Sequence, residues 1–122
     1  MIYVYIWKRK TKIEMMMSYY NGSEGEAITL EEAAAFTANY RSQNQGVAET
    51  VKAHFFGREI LQRILDQEGC AGIRMYYGLD DKGGKQLVLI GVDAAGQDME
   101  DGTIADRSRI CPPDCTTSAL NG

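Results

Sequence analysis

Cys111-Pro112-Pro113-Asp114-Cys115 is the segment whose side chains are best equipped for chemistry. A thiolate is a nucleophile and a soft-metal ligand. The spacing leaves three readings open. The thiols stay reduced, and the prolines make a stiff, extended terminal segment that packs on the domain. Alternatively, the two cysteines close a short disulfide loop, although proline restricts their approach. In the third reading they give two ligands of a soft-metal site, with zinc as the metal. Structural zinc takes four protein ligands, and Cys70 and His54 are the only other cysteine and histidine in the chain. A site shared between subunits would also complete the set. The spacing differs from the two-residue gap of redox motifs, and Asp114 would raise a neighbouring thiol pKa.

Other chemistries fit the residues poorly. As a general base, His54 would need a nucleophile and an orienting acid close by. The cysteines, Glu59 and Asp66 are the right types, but no local motif joins them to His54. Gly83-Gly84-Lys85 leads into a strand and lacks the earlier glycine of a phosphate loop. Asp98, Glu100 and Asp101 do not follow the alternating ligands of a calcium loop. Asp80 and Asp81 suit a turn. Arg74, Tyr76 and Tyr77 invite comparison with an RNA-binding sheet, but the spacing is wrong. Their plain reading is a core tyrosine on one face and a solvated Arg74 on the other. No catalytic residue emerges.

Charge narrows the partners. The chain of 122 residues has a formal net charge of −4. Lys8, Arg9, Lys10 and Lys12 cluster near the start, so the remainder is more acidic still. An acidic body repels phosphate backbones, which argues against nucleic acid. Residues 1–7 are apolar but precede the basic cluster, the reverse of a secretory signal, and are too short to span a membrane. The expected compartment is therefore the cytoplasm, with reduced thiols. Met15, Met16 and Met17 offer a later start. If residues 1–14 are translated, Ile2 to Trp7 has the propensity of a strand added to a sheet edge.

The elements that must position these side chains are legible. Thr29-Leu30-Glu31-Glu32 is a capping box opening a helix that runs to about Ser42, with Asn44-Gln45-Gly46 as the stop. Residues 47–57 fit a helix or an extended stretch equally. A second helix over 58–67 places Ile60, Leu61, Ile64 and Leu65 on one face, and Gly69 suits its C-cap. The period then changes to two. Ile73, Met75, Tyr77 and Leu79 alternate with Arg74, Tyr76 and Gly78. Residues 80–84 form a turn. Residues 86–92 are apolar on both faces and read as a central strand. A turn at 93–96 and a short strand near 102–105 follow. The tail from Thr116 is polar and expected to be mobile.

Residues 27–43, Phe55-Phe56-Gly57-Arg58-Glu59, Leu65-Asp66-Gln67-Glu68-Gly69-Cys70, Gly72-Ile73-Arg74-Met75-Tyr76-Tyr77-Gly78-Leu79, Leu87-Val88-Leu89-Ile90-Gly91-Val92-Asp93, Ala105-Asp106-Arg107-Ser108 and Cys111-Pro112-Pro113 occur in that order. Together they resemble a family of small uncharacterised bacterial proteins of Bacteroidetes type, across about residues 27–120. The resemblance implies a compact domain and adds no activity or cofactor.

The expected architecture is a two-layer α+β domain over 27–110, with both helices on an antiparallel sheet built around the hairpin. Residues 1–26 are an extension and 111–122 a Cys-Pro-rich tail. The expected role is non-enzymatic binding of a protein or small ligand, including self-association through a sheet edge. The alternative is a metal-binding or thiol-redox protein using Cys111 and Cys115, with Cys70 and His54 as helpers.

Overall fold

The computed structural model describes residues 19–47 and 50–122. The expected strand at residues 2–7 and the alternative start sites lie outside them. The chain forms two compact units. The first combines residues 19–24 with Phe56–Arg107, and the second combines Gly25–Phe55 with Ser108–Gly122. The stretch expected as one domain, 27–110, is thus divided between them. The protein is α+β, with two helices and antiparallel sheets among the described residues.

In the second unit, helix α1 covers Leu30–Gln43. Thr29 caps it, its hydroxyl oxygen accepting from the Glu32 N–H at 3.1 Å. In a capping box Glu32 would reach back to the Thr29 N–H. The Glu32 carboxylate accepts from the Thr29 hydroxyl at 3.2 Å. Glu31 and Glu32 in the first turn and Arg41 in the last suit the helix dipole. Gly46, at φ 83°, follows the end of the helix. α1 buries no residue completely. Leu30 and Phe36 remain mostly exposed. The ambiguous stretch contains a strand: β1 (Ala53–Phe55) pairs antiparallel with β5 (Arg109–Cys111).

The first unit holds helix α2 (Arg58–Leu65) and strands β2 (Cys70–Leu79), β3 (Lys85–Asp93) and β4 (Ile104–Ala105). Its sheet order is β2-β3-β4, antiparallel throughout. β3 is central, as its two apolar faces require, and Leu89, Ile90 and Val92 are buried. Ile64 on α2 meets Cys70, Leu89 and Ala105 in the core, with Phe56, Ile60, Leu61, Ile73, Leu87 and Met99 around them. Removing a side chain such as Ile64 or Leu89 from water stabilises the unit by about 1.5–3 kcal/mol each. α2 packs on the hairpin.

Two side chains fix the register. The Asp80 carboxylate accepts from the N–H groups of Lys82 at 2.9 Å and Gly84 at 2.7 Å, closing the β2–β3 turn. Gln67 donates to the Ile64 carbonyl at 2.9 Å and accepts from the Thr103 N–H at 2.8 Å, tying the helix end to the approach to β4.

Candidate functional site

Cys111 and Cys115 are joined in a disulfide, with Cα atoms 4.8 Å apart. Of the three readings, the short loop is the one the chain adopts. The expected stiff, extended segment is instead a tight reversal. Both X–Pro bonds are cis, and the Asp114 N–H returns to the Ile110 carbonyl at 2.9 Å. The two sulfurs stand in different surroundings. Cys111 is 5% exposed and anchored in β5, its carbonyl accepting from the Lys52 N–H at 2.7 Å. Cys115 is exposed.

The tail after Cys115 is tied down, contrary to the expected loose end. Arg41 of α1 donates to the Leu120 carbonyl at 2.8 Å. The Asn121 amide donates to the Thr116 carbonyl at 2.7 Å, and its Oδ1 stands 3.9 Å from Cys111 Sγ.

The other two candidate ligands are engaged elsewhere. His54 lies opposite Ile110 in the β1–β5 register, whereas Cys111 lies opposite Ala53. Directly paired residues share a face and successive residues alternate, so His54 and Cys111 project from opposite faces. The His54 ring hydrogen-bonds through Nδ1 to Ser108 Oγ at 2.8 Å. Cys70 belongs to the core of the first unit, 1% exposed, with its thiol donating to the Gly72 carbonyl at 3.2 Å. Among the described residues, no group of three or more His, Cys, Asp or Glu side chains stands close enough to hold a metal.

The reading of Arg74 and Tyr77 is reversed. Arg74 is half-buried and bound to Asp98 at 2.7 Å and to the Tyr20 hydroxyl at 2.9 Å. Tyr76 also donates to Asp98. The hydrogen bond to Tyr20, then that to Tyr76, holds the Arg74 pKa above its ordinary value. A groove of about 300 Å³ is lined by Arg74 and Tyr20 together with Glu24, Gly72 and Val92. Arg74 enters it with its charge already matched by Asp98.

Tyr77 is 94% exposed, and Met75 and Leu79 on the same face are 55% and 71% exposed. The cause is position across the sheet. Met75 and Tyr77 pair with Leu89 and Leu87 of the central strand. Those two partners lie in or against the core around Ile64, whereas β2 is the edge strand and leaves its own side chains uncovered. Alternation in the sequence marked Met75, Tyr77 and Leu79 as one face. It does not show that the core reaches Leu87 and Leu89 on β3 but leaves Met75 and Tyr77 beside them exposed.

β2 is also an edge strand. Among the described residues, no strand pairs with its outer side. Its one charged residue, Arg74, is neutralised by Asp98. Edge strands are commonly guarded by free lysines, prolines or inward charges, and β2 has none of these.

Among the described residues, no helix is long and apolar enough to cross a membrane. No family model, curated protein or solved structure matches the chain. The function is therefore read from the geometry above.

Proposed function

We propose that this protein acts by protein contact rather than catalysis, and that its contact surface is the outer edge of β2, where a second copy of the chain adds its own β2. The observation carrying the proposal is the exposed run Met75-Tyr76-Tyr77-Gly78-Leu79 on an unguarded edge. Backbone N–H and C=O groups on such an edge pair with any extended strand. Three features favour a second copy as that strand. The run carries no charge, so two copies meet without like-charge repulsion. An antiparallel two-fold arrangement offers the same surface from each side, as a closed dimer requires. It also sets the exposed Met75, Tyr77 and Leu79 of one copy beside those of the other, burying apolar area that a monomer leaves in water.

Sedimentation equilibrium of the full chain across a concentration series tests this. A reversible dimer is expected. Tyr77→Lys, at a side chain with almost no intramolecular cover, should weaken it by about tenfold or more through charge repulsion across the edge. Lys82→Ala in the adjoining turn should leave the dimer constant unchanged. A monomer at every concentration, or a dimer indifferent to Tyr77→Lys, overturns the proposal.

A further inference from the structure

We propose a second, chemically distinct site: the exposed Cys115 sulfur is where the Cys111–Cys115 disulfide exchanges with small thiols, and Cys111 is the buried partner that leaves and returns. The two sulfurs stand in unequal surroundings. Thiol–disulfide exchange requires a thiolate to reach one sulfur along the line of the bond, so access selects the sulfur attacked. Cys115 is exposed, and Cys111 is 5% exposed. Cys111 is also held by β5 pairing with β1 and has Asn121 3.9 Å from its sulfur.

The attacking group is a thiolate of the low-molecular-weight peptide class. Its sulfur forms a new bond to Cys115 Sγ while the bond between Cys115 Sγ and Cys111 Sγ breaks. The electron pair of that bond goes to Cys111, whose thiolate takes a proton from solvent. A second small thiolate then attacks the peptide sulfur of the mixed disulfide, and Cys115 leaves as a thiolate that is also protonated. Two small thiols become one small disulfide, and the protein disulfide becomes two thiols. In the reverse direction the small disulfide is attacked by Cys115, and Cys111 then closes the ring.

Position gives the reaction a structural consequence. Cys111 remains in its strand whether oxidised or reduced, because its backbone is fixed by the Lys52 N–H at 2.7 Å. Cys115 leads directly into the tail whose Leu120 carbonyl is held by Arg41. The disulfide is therefore a second tether on a tail otherwise held by hydrogen bonds. Opening it leaves the tail with the Arg41 hydrogen bond to Leu120 and the Asn121 contact at Cys111.

The experiment uses the full chain, folded and oxidised, with reduced glutathione as the probe. Exchange is quenched with acid, and adducts are located by peptide mass spectrometry. The glutathione adduct is expected at Cys115 in at least about tenfold excess over Cys111, following access to the sulfur. Cys70 should stay unmodified. Single variants give an independent reading with glutathione disulfide. Cys111→Ser should trap a stable adduct at Cys115, and Cys115→Ser should react at Cys111 about tenfold more slowly unless denatured. Equal adducts on both cysteines of the native chain overturn the proposal. So does a disulfide that glutathione opens only after unfolding.

Discussion

Arg74 on β2 donates to Asp98, in the loop after β3, at 2.7 Å. That contact crosses from the edge strand to a loop and fixes the polar face of β2 while its other face stays apolar. The same carboxylate accepts a hydrogen bond from the Tyr76 hydroxyl.

The first prediction concerns Tyr76. The hydrogen bond to Asp98 favours the neutral phenol, and burial adds to this, so its pKa is raised above 10.0. A folded-state pKa above the unfolded one gives stability that is full below the unfolded value and lost as pH rises through the folded value. Stability should therefore decline above about pH 10. Asp98→Asn removes the charge and should return the Tyr76 titration toward its ordinary position. An NMR titration of the Tyr76 ring carbon checks this. An unchanged midpoint in the variant would show that Asp98 is not the cause.

A second prediction separates the two units by the burial of their helices. Ile64 is fully buried, so Ile64→Ala should cost about 2–5 kcal/mol in denaturant unfolding. Phe36 on α1 is 62% exposed, and Phe36→Ala should fall within about 0.5 kcal/mol of the parent. Thr29→Ala should cost more than Phe36→Ala, about 1 kcal/mol, because the cap is a defined bond of α1. A large cost at Phe36 would mean that α1 is covered by something in solution.

These contrasts mark where the sequence was informative. Thr29, the apolar run of β3 and the Asp80 turn are local signals, because each depends on neighbours within a few residues. They located α1, the central strand and the hairpin. Three features depended on distant partners. β1 is three residues long and is defined by Arg109–Cys111, more than fifty residues away. Arg74 reads as solvated until Asp98 and Tyr20 are brought to it. Tyr77 reads as core because alternation identifies a face without telling how far the core extends across it. The cysteine spacing permitted a disulfide without choosing it, since proline geometry is set by the whole reversal.

Gly91 supplies a third prediction. A Cβ there would lie 2.8 Å from Gln67 Nε2, 3.2 Å from Cys70 Sγ and 3.3 Å from Ile64 Cγ2. The last two atoms belong to the core and have little room to move. Gly91→Ala should destabilise the first unit by about 1–3 kcal/mol through overpacking. Gly72→Ala, where nothing lies within 4 Å of the added carbon, is the matched control on the neighbouring strand. Equal effects at both positions would mean that backbone freedom, not space, is what glycine provides.

Asp80 supplies the fourth. Its carboxylate accepts first from the Gly84 N–H and then from the Lys82 N–H, and both bonds hold its pKa below the ordinary aspartate value. A depressed folded-state pKa gives stability that is present above the unfolded value and lost as pH falls through the folded one. The turn should therefore loosen in acid, below the ordinary aspartate range. Gly84 belongs to the same device, because a Cβ there would meet Asp80 Oδ2 at 2.6 Å. In NMR spectra the Gly84 and Lys82 amide resonances should move together, with one midpoint below 3.8. Asp80→Asn should abolish that step. The turn sets Leu79 opposite Lys85 and so fixes the register of the exposed end of β2. If the proposed dimer forms through that end, it should weaken over the same acidic interval in the parent chain and lose that pH dependence in Asp80→Asn.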